Sequence, residues 1–282
     1  MMDLEDIVEQ IDLLEPVPPI AAQIMALAED PNSSLAEISD LILNDPALTA
    51  NLLRTCNSAF YSLSRQVESV RDAISLVGLD HIVELVLVNS LSANFKKELV
   101  GYGLGEKELW RHAVSSAHVA GILADRFGAS QNKHRIYTAA LVKDIGKLIL
   151  GRFVAFSFEQ INILVHSQGH SFNDAEQEII GMNHEELGGL VAKKWHFSKK
   201  LIYIIRHHHL SDESARQDIE TALVYLADII CMMMGVCTGA DGLSYRFYSD
   251  VLNQLNLSEQ DLQGIIAEAG KNQQQVEVLL NL

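Results

Sequence analysis

The sequence predicts an all-α fold, and three observations carry the prediction. Apolar residues recur at three- and four-residue spacing along most of the chain, helix start and stop signals punctuate them, and no alternating β-branched run is bounded by hairpin turns. With 282 residues, 48% of them hydrophobic and 21% charged, the chain has enough apolar side chain for a sizeable core, which excludes a largely disordered protein. Two helical lobes are expected: an N-terminal bundle over residues 1–100 and a second bundle over 107–282, joined by a Gly-rich linker at 101–106.

Each element has its own signal. In Asp3–Leu14, the residues Leu4, Ile7, Val8, Ile11 and Leu14 form one apolar face, and Glu15-Pro-Val-Pro-Pro19 stops it because proline lacks an amide donor. A helix over Ile20–Glu29 ends at Asp30-Pro31. Ser34-Leu-Ala-Glu37 is a capping box, opening a helix with Leu35, Ile38, Leu41 and Ile42 inward. Asn44-Asp45-Pro46 closes it and starts the next, with proline in the first turn, and that helix runs to Asn57-Ser58. Helices over Val70–Gly78 and His81–Phe95 complete the first lobe. Gly101-Tyr-Gly-Leu-Gly105 lacks the preceding strand and the following Lys or Thr of a phosphate-binding loop, so it reads as a flexible linker. The second lobe reads as helices over Glu106–Phe127, Lys133–Leu150, Phe156–Gln168, Phe172–Ile180, His184–Trp195, Ser198–His208 and Asp218–Met234, then two short ones.

Charge narrows the function classes. The net charge is 21 − 37 = −16; residues 1–105 carry 5 basic and 16 acidic groups, and residues 106–282 carry 16 and 21. Phosphate neutralisation by Lys and Arg drives nucleic-acid binding, so no nucleic-acid partner is expected. Apolar runs such as Ile82–Val88 fall short of the ~20 residues of a membrane span, and the acidic N-terminus lacks a signal peptide's basic start. Cys56, Cys231 and Cys237 are too few and scattered for a disulfide framework. A cytoplasmic protein without a membrane partner is expected.

Eleven histidines are many. His81, His134, His166, His170 and His196 fit helix surfaces or ends, and His118 fits a core or supporting position. Trp110 and Trp195 fit packing anchors, and Cys231 and Cys237, six apart, fit helix core better than a redox or zinc pair. The others fall in an order: His112, then Lys143-Asp144-Ile-Gly-Lys147, then His184, then His207-His208-His209, then Asp228. Imidazole and carboxylate suit divalent first-row metals, and helices converging inward can build such a site.

The segment Ala139-Ala-Leu-Val-Lys-Asp-Ile-Gly-Lys-Leu resembles the A-A-L-L-H-D-I-G-K core of the HD superfamily of metal-dependent phosphohydrolases. His184-Glu-Glu-Leu-Gly188 resembles the H-x-x-x-G helix start of its HD-GYP branch, the run His207–His209 its paired histidines, and Asp228 its closing aspartate. In the first half, Leu14-Glu-Pro-Val-Pro-Pro-Ile, Ser34-Leu-Ala-Glu-Ile, Ile42-Leu-Asn-Asp-Pro-Ala-Leu, Asn57-Ser-Ala-Phe-Tyr and Ala73-Ile-Ser-Leu-Val-Gly-Leu resemble the motifs of the HDOD (HD-related output) domain. The resemblance covers about residues 5–235. It implies a helical lobe joined to an HD-like lobe, and a bacterial signalling or regulatory role through a protein partner, with a small ligand in the inter-lobe or HD-like cleft.

Two departures bear on activity. Where active HD enzymes carry a metal-ligating histidine, this chain has Lys143, whose ammonium has three donors and no lone pair. By resemblance the mononuclear site is matched by His112, Lys143, Asp144 and Asp228. Two placements are open for Lys143: paired with Asp144 or Asp228 inside the site, or turned to solvent. Second, His209 is followed by Leu-Ser-Asp-Glu-Ser, without a Gly-Tyr-Pro signature. The expected metal ligands are His112, Asp144, His184, His208, His209 and Asp228, for no ion or for one divalent ion (Mn, Fe, Mg, Ni or Zn). If the chain is active, Asp144, His184 and His208 are the catalytic residues, with Lys143, Lys147 and His207 facing substrate. The alternative function is then hydrolysis of a nucleotide or phosphoester.

Overall fold

A computed structural model describes residues 4–14, 18–30, 32–58, 65–242, 244–271, 276–277 and 280. The proline stop at 15–17 and the motif residues Ala59-Phe60-Tyr61 lie outside them. The first half holds α1 (Leu4–Glu9), α2 (Pro19–Glu29), α3 (Leu35–Leu43), α4 (Pro46–Cys56), α5 (Val70–Val77) and α6 (Leu79–Phe95). The second holds α7 (Glu108–Arg126), α8 (Lys133–Val142), α9 (Lys147–Gln168), α10 (Phe172–Ile180), α11 (His184–Lys194), α12 (Lys199–Arg206), α13 (Glu213–Arg216), α14 (Ile219–Met233), α15 (Ser249–Gln254) and α16 (Glu259–Lys271). Among the described residues the only β pairing is an isolated bridge, Leu99 to Leu104.

The punctuation acts as written. Ser34 accepts from the Glu37 amide while Glu37 reaches back to Ser34, and Asp45 caps α4 at Ala47 and Leu48 with Pro46 following. Leu35, expected inward, is exposed, because it opens α3 before the helix meets its neighbours. Ile38 and Ile42, one and two turns on, are buried. Trp110, Trp195 and Cys231 are buried.

The Gly-rich segment is built structure. Val100–Tyr102 forms a 3-10 turn with Gly101 and Tyr102 buried. A Cβ on Gly101 would lie 2.1 Å from the Gly151 carbonyl oxygen, so only glycine lets this turn seat on α9. The apolar core continues across the two halves: α6 lies on α7 and α8, and α2 on α8. At the centre of the second half, α8 and α14 pack on α7, and α12 packs on α8 and α14.

One expected helix, Lys133–Leu150, is two. The chain turns at Lys143–Gly146, between α8 and α9, and α9 then continues through Phe156 to Gln168. By length and composition alone, residues 130–168 would also pass as a membrane span. Their buried and paired Lys143, Asp144 and Lys147 fit the interior of a helical bundle instead.

Candidate metal and ion-pair centre

The turn between α8 and α9 creates the site. A Cβ on Gly146 would lie 2.1 Å from the His184 carbonyl oxygen and 2.8 Å from the Gly188 amide nitrogen. Glycine at 146 therefore lets the turn rest on the first turn of α11, and Gly188 keeps that surface flat. This close approach is a physical reason for the Asp-Ile-Gly and His-x-x-x-Gly spacings, and it places Lys143 and Asp144 beside α7, α11 and α14.

Two groups of candidate ligands result, each with ligand atoms within 4.8 Å of one another: His112, Asp144 and Asp228, and His184, His208 and His209. All are buried. In the first group, Lys143 Nζ lies 2.6 Å from Asp228 Oδ1 and pairs also with Asp144 Oδ2. His112 Nε2 reaches the same Asp228 oxygen at 2.7 Å, while its Nδ1–H donates to the Val236 carbonyl at 2.9 Å. Lys147 Nζ is 2.8 Å from Asp144 Oδ1 and 2.7 Å from Asp241 Oδ2. Burial would disfavour the charges of Lys143, Asp144, Lys147 and Asp228. The neighbours prevail: Lys143 and Lys147 hold the Asp144 carboxyl well below the usual carboxylate range, and Asp144 and Asp228 raise the Lys143 ammonium. Of the two placements open to Lys143, the structure shows the internal one.

The second group is held by outer partners. His184 opens α11, and its Nδ1 lies 2.6 Å from Glu176 Oε2, which also accepts the His184 amide. The other Glu176 oxygen accepts from Tyr102 in the Gly-rich turn at 2.6 Å. His208 donates Nδ1–H to the Ile205 carbonyl at 2.8 Å, which leaves Nε2 with a bare lone pair and no hydrogen-bond partner among the described residues. That Nε2 lies 3.8 Å from Asp144 Oδ1, and His184 Nε2 lies 4.0 Å from it. His184 Nε2 and His209 Nε2 are 3.0 Å apart. Burial, reinforced by Lys143 and His184, pushes His208 down to about 3, and burial, reinforced by His208, His184 and Lys147, holds His209 far below its ordinary value. For His184 the penalty of burial is overcome by Glu176, which raises it.

The structure thus brings together His112, Lys143, Asp144, Lys147, His184, His208, His209 and Asp228. It does not bring in His207, expected to face substrate. His207 ends α12 on the outer side of the turn, half-buried, with its ring 4.6 Å from that of Tyr203. Four further groups join that single-residue reading missed: Glu176, Glu185, Asp241 and Tyr245. Glu185 accepts the His209 amide and the Asn173 side chain, and its place in His184-Glu-Glu was a signal. Asp241 and Tyr245 come from the stretch after α14, where no motif points to them. Tyr245 stacks on His209 at 3.8 Å with 14° between ring planes and donates its hydroxyl to Asp241. The Ala240 amide bonds to the Tyr102 carbonyl, and the Phe172 amide to that of Ser244, pinning this segment over the histidines.

Comparison with known proteins agrees with this architecture. An HDOD domain protein with unknown function from Geobacter sulfurreducens superposes with a TM-score of 0.72 at 26% identity, covering 99% of this chain and 98% of that one. A structure from Marinobacter aquaeolei VT8, provisionally named a signal transduction protein, gives 0.75 at 23% identity over 100% of this chain and 61% of its own. One from Shewanella amazonensis SB2B, provisionally named a phosphohydrolase, gives 0.70 at 20% identity over 98% and 97%. An uncharacterized protein of Treponema pallidum (strain Nichols) is 23% identical over 203 residues, 72% of this chain, which spans only 39% of that relative. The HDOD domain family model matches residues 14–211, ending before Asp228, Asp241 and Tyr245. With most of its length matched, this chain belongs to the HDOD domain family.

Proposed function

We propose that this chain is a bacterial, cytoplasmic signalling module that acts through contacts with a protein partner and does not hydrolyse phosphoesters. The observation that supports this reading is the Lys143 ammonium paired with both Asp144 and Asp228, 1% exposed. A catalytic metal site needs about three protein ligands and an open position. In the first group the chain's own cation takes up both carboxylates, so a metal does not fit there.

The second group does fit one. His184, His208 and His209, with Asp144, would hold a single divalent ion. His184 and His208 have their outer N–H groups fixed by Glu176 and the Ile205 carbonyl, the arrangement that orients metal-bound imidazoles. An imidazole-rich set favours Zn, Fe or Ni over Mg. Such an ion would supply Lewis acidity toward a bound water, and this favours the second reading, a metal-dependent phosphohydrolase. Against it stands closure: the three histidines are at most 5% exposed, with Tyr245 stacked on His209.

The test is metal content by elemental mass spectrometry for the native protein and Lys143→His, with phosphodiesterase assays on bis-p-nitrophenyl phosphate in Mn²⁺. The regulatory reading expects at most one ion per native chain, one more in Lys143→His, and no native turnover. Native turnover abolished by a chelator and restored by Mn²⁺ overturns it.

A further inference from the structure

A cavity of about 240 Å³ lies between α7, the end of α14 and α16, and none of the buried ionic residues lines it. Val119, Val236, Ala269 and Val276 give it apolar walls, and Arg111 is the one Lys or Arg among the lining residues. The chain itself already presents a matching pair of groups there. Val276, 6% exposed, enters the wall, and the neighbouring Glu277 carboxylate pairs with Arg111. Both members of that pair are more than 40% exposed, so it competes weakly with a ligand that also buries apolar surface. The nearby Glu108 carboxylate accepts the Gly105 amide.

The wall connects to the ionic centre. The Val236 carbonyl accepts the His112 Nδ1–H, and His112 meets Asp228. Gly235 and Cys237, on either side of Val236, both have left-handed backbone, with φ of 72° and 45°. A few residues on, the same strand of chain carries Asp241 and Tyr245 over the histidines.

We propose that this cavity binds a small carboxylate with an apolar body, which replaces Glu277 on Arg111 and moves the Val236 carbonyl against His112. The volume falls below that of drug-sized pockets, which restricts the ligand to a small acid. Binding there does not depend on whether the histidines hold a metal.

Isothermal titration of the full chain with benzoate and 4-methylpentanoate, and with benzamide as the neutral counterpart of benzoate, tests the site. At least one acid should saturate, with benzamide at least tenfold weaker than benzoate if benzoate is the binder. Arg111→Met should weaken the acid at least tenfold, and Ala269→Leu, filling the cavity, should abolish binding; circular dichroism checks that both variants fold. In the native protein, the ¹⁵N ring resonances of His112 should shift on saturation. Absence of saturation with both acids, or equal affinity in Arg111→Met, overturns the site. Saturation without a His112 shift overturns the link to the ionic centre.

Discussion

Lys143 Nζ lies 2.6 Å from Asp228 Oδ1, the same oxygen that His112 Nε2 approaches to 2.7 Å. One carboxylate oxygen on α14 therefore joins α7 to the turn before α9. The turn is an ionic strut as well as a chain reversal, and three helices depend on its charge.

Replacing Lys143 with Met keeps the length of the side chain and removes the cation. Asp144 and Asp228 then face each other with less compensation, and breaking a buried pair in this way costs about 3–5 kcal/mol. Urea unfolding should show a loss of that size for Lys143→Met. It should show partial recovery in Lys143→Met combined with Asp228→Asn, where the stranded charge is gone. A loss within about 0.5 kcal/mol would mean the pair does not hold the turn.

Gly146 carries the approach of that turn to α11. In Gly146→Ala the methyl group would meet the His184 carbonyl at 2.1 Å, a contact that only backbone movement relieves. Overpacking of this kind costs about 1–3 kcal/mol, more where the obstacle is backbone. The Tm of Gly146→Ala should fall accordingly, and that of Gly128→Ala, where a Cβ meets nothing within 4 Å, reports the cost of positive φ alone. Because Gly146 has negative φ, an unchanged Tm in Gly146→Ala would count against close approach as the reason for glycine there.

The order of helices was legible because capping boxes, prolines and periodicity are local signals, as Ser34–Glu37 and Asp45-Pro46 show. The break at Lys143–Gly146 was not, since Ala139–Leu150 is apolar enough to read as one helix and the turn is imposed by contact with α11. The histidines and aspartates that the fold gathers were legible through their order along the chain. Lys143 could be recognised as the wrong ligand type, but its placement between two carboxylates is a tertiary fact. Asp241 and Tyr245 follow α14 without any motif, and only folding brings them over Lys147 and His209.

Asp241 ties that covering segment to Lys147 at 2.7 Å and accepts the Tyr245 hydroxyl. Asp241→Ala removes both anchors while leaving the backbone bonds from Ala240 to Tyr102 and from Phe172 to Ser244. Hydrogen exchange at the Ala240 and Phe172 amides, the donors of those two bonds, should accelerate at least tenfold, with the amides of α14 little changed. Unaltered exchange at those two amides would show that the backbone bonds alone hold the segment.

Glu185 gives the pH dependence a defined sign. Burial, only partly offset by the His209 amide and the neighbouring His184, raises its carboxyl from 4.5 to about 7. Between those values the folded protein keeps a proton that the unfolded chain has released, so this group's contribution to stability falls as pH rises from 4.5 to 7 and is level outside that window. The full difference is about 3 kcal/mol. Gln at 185 does not titrate, and its oxygen can still accept the His209 amide. Its NH₂ would meet Asn173, whose Oδ1 has no hydrogen-bond partner among the described residues and can turn to accept. Stability of Glu185→Gln relative to the native protein should therefore climb between pH 5 and 7 and then level off. Groups remote from position 185 cancel in that difference. Urea midpoints at pH 5 and pH 8 measure it, and a difference that does not change with pH would place the Glu185 carboxyl back in the ordinary range.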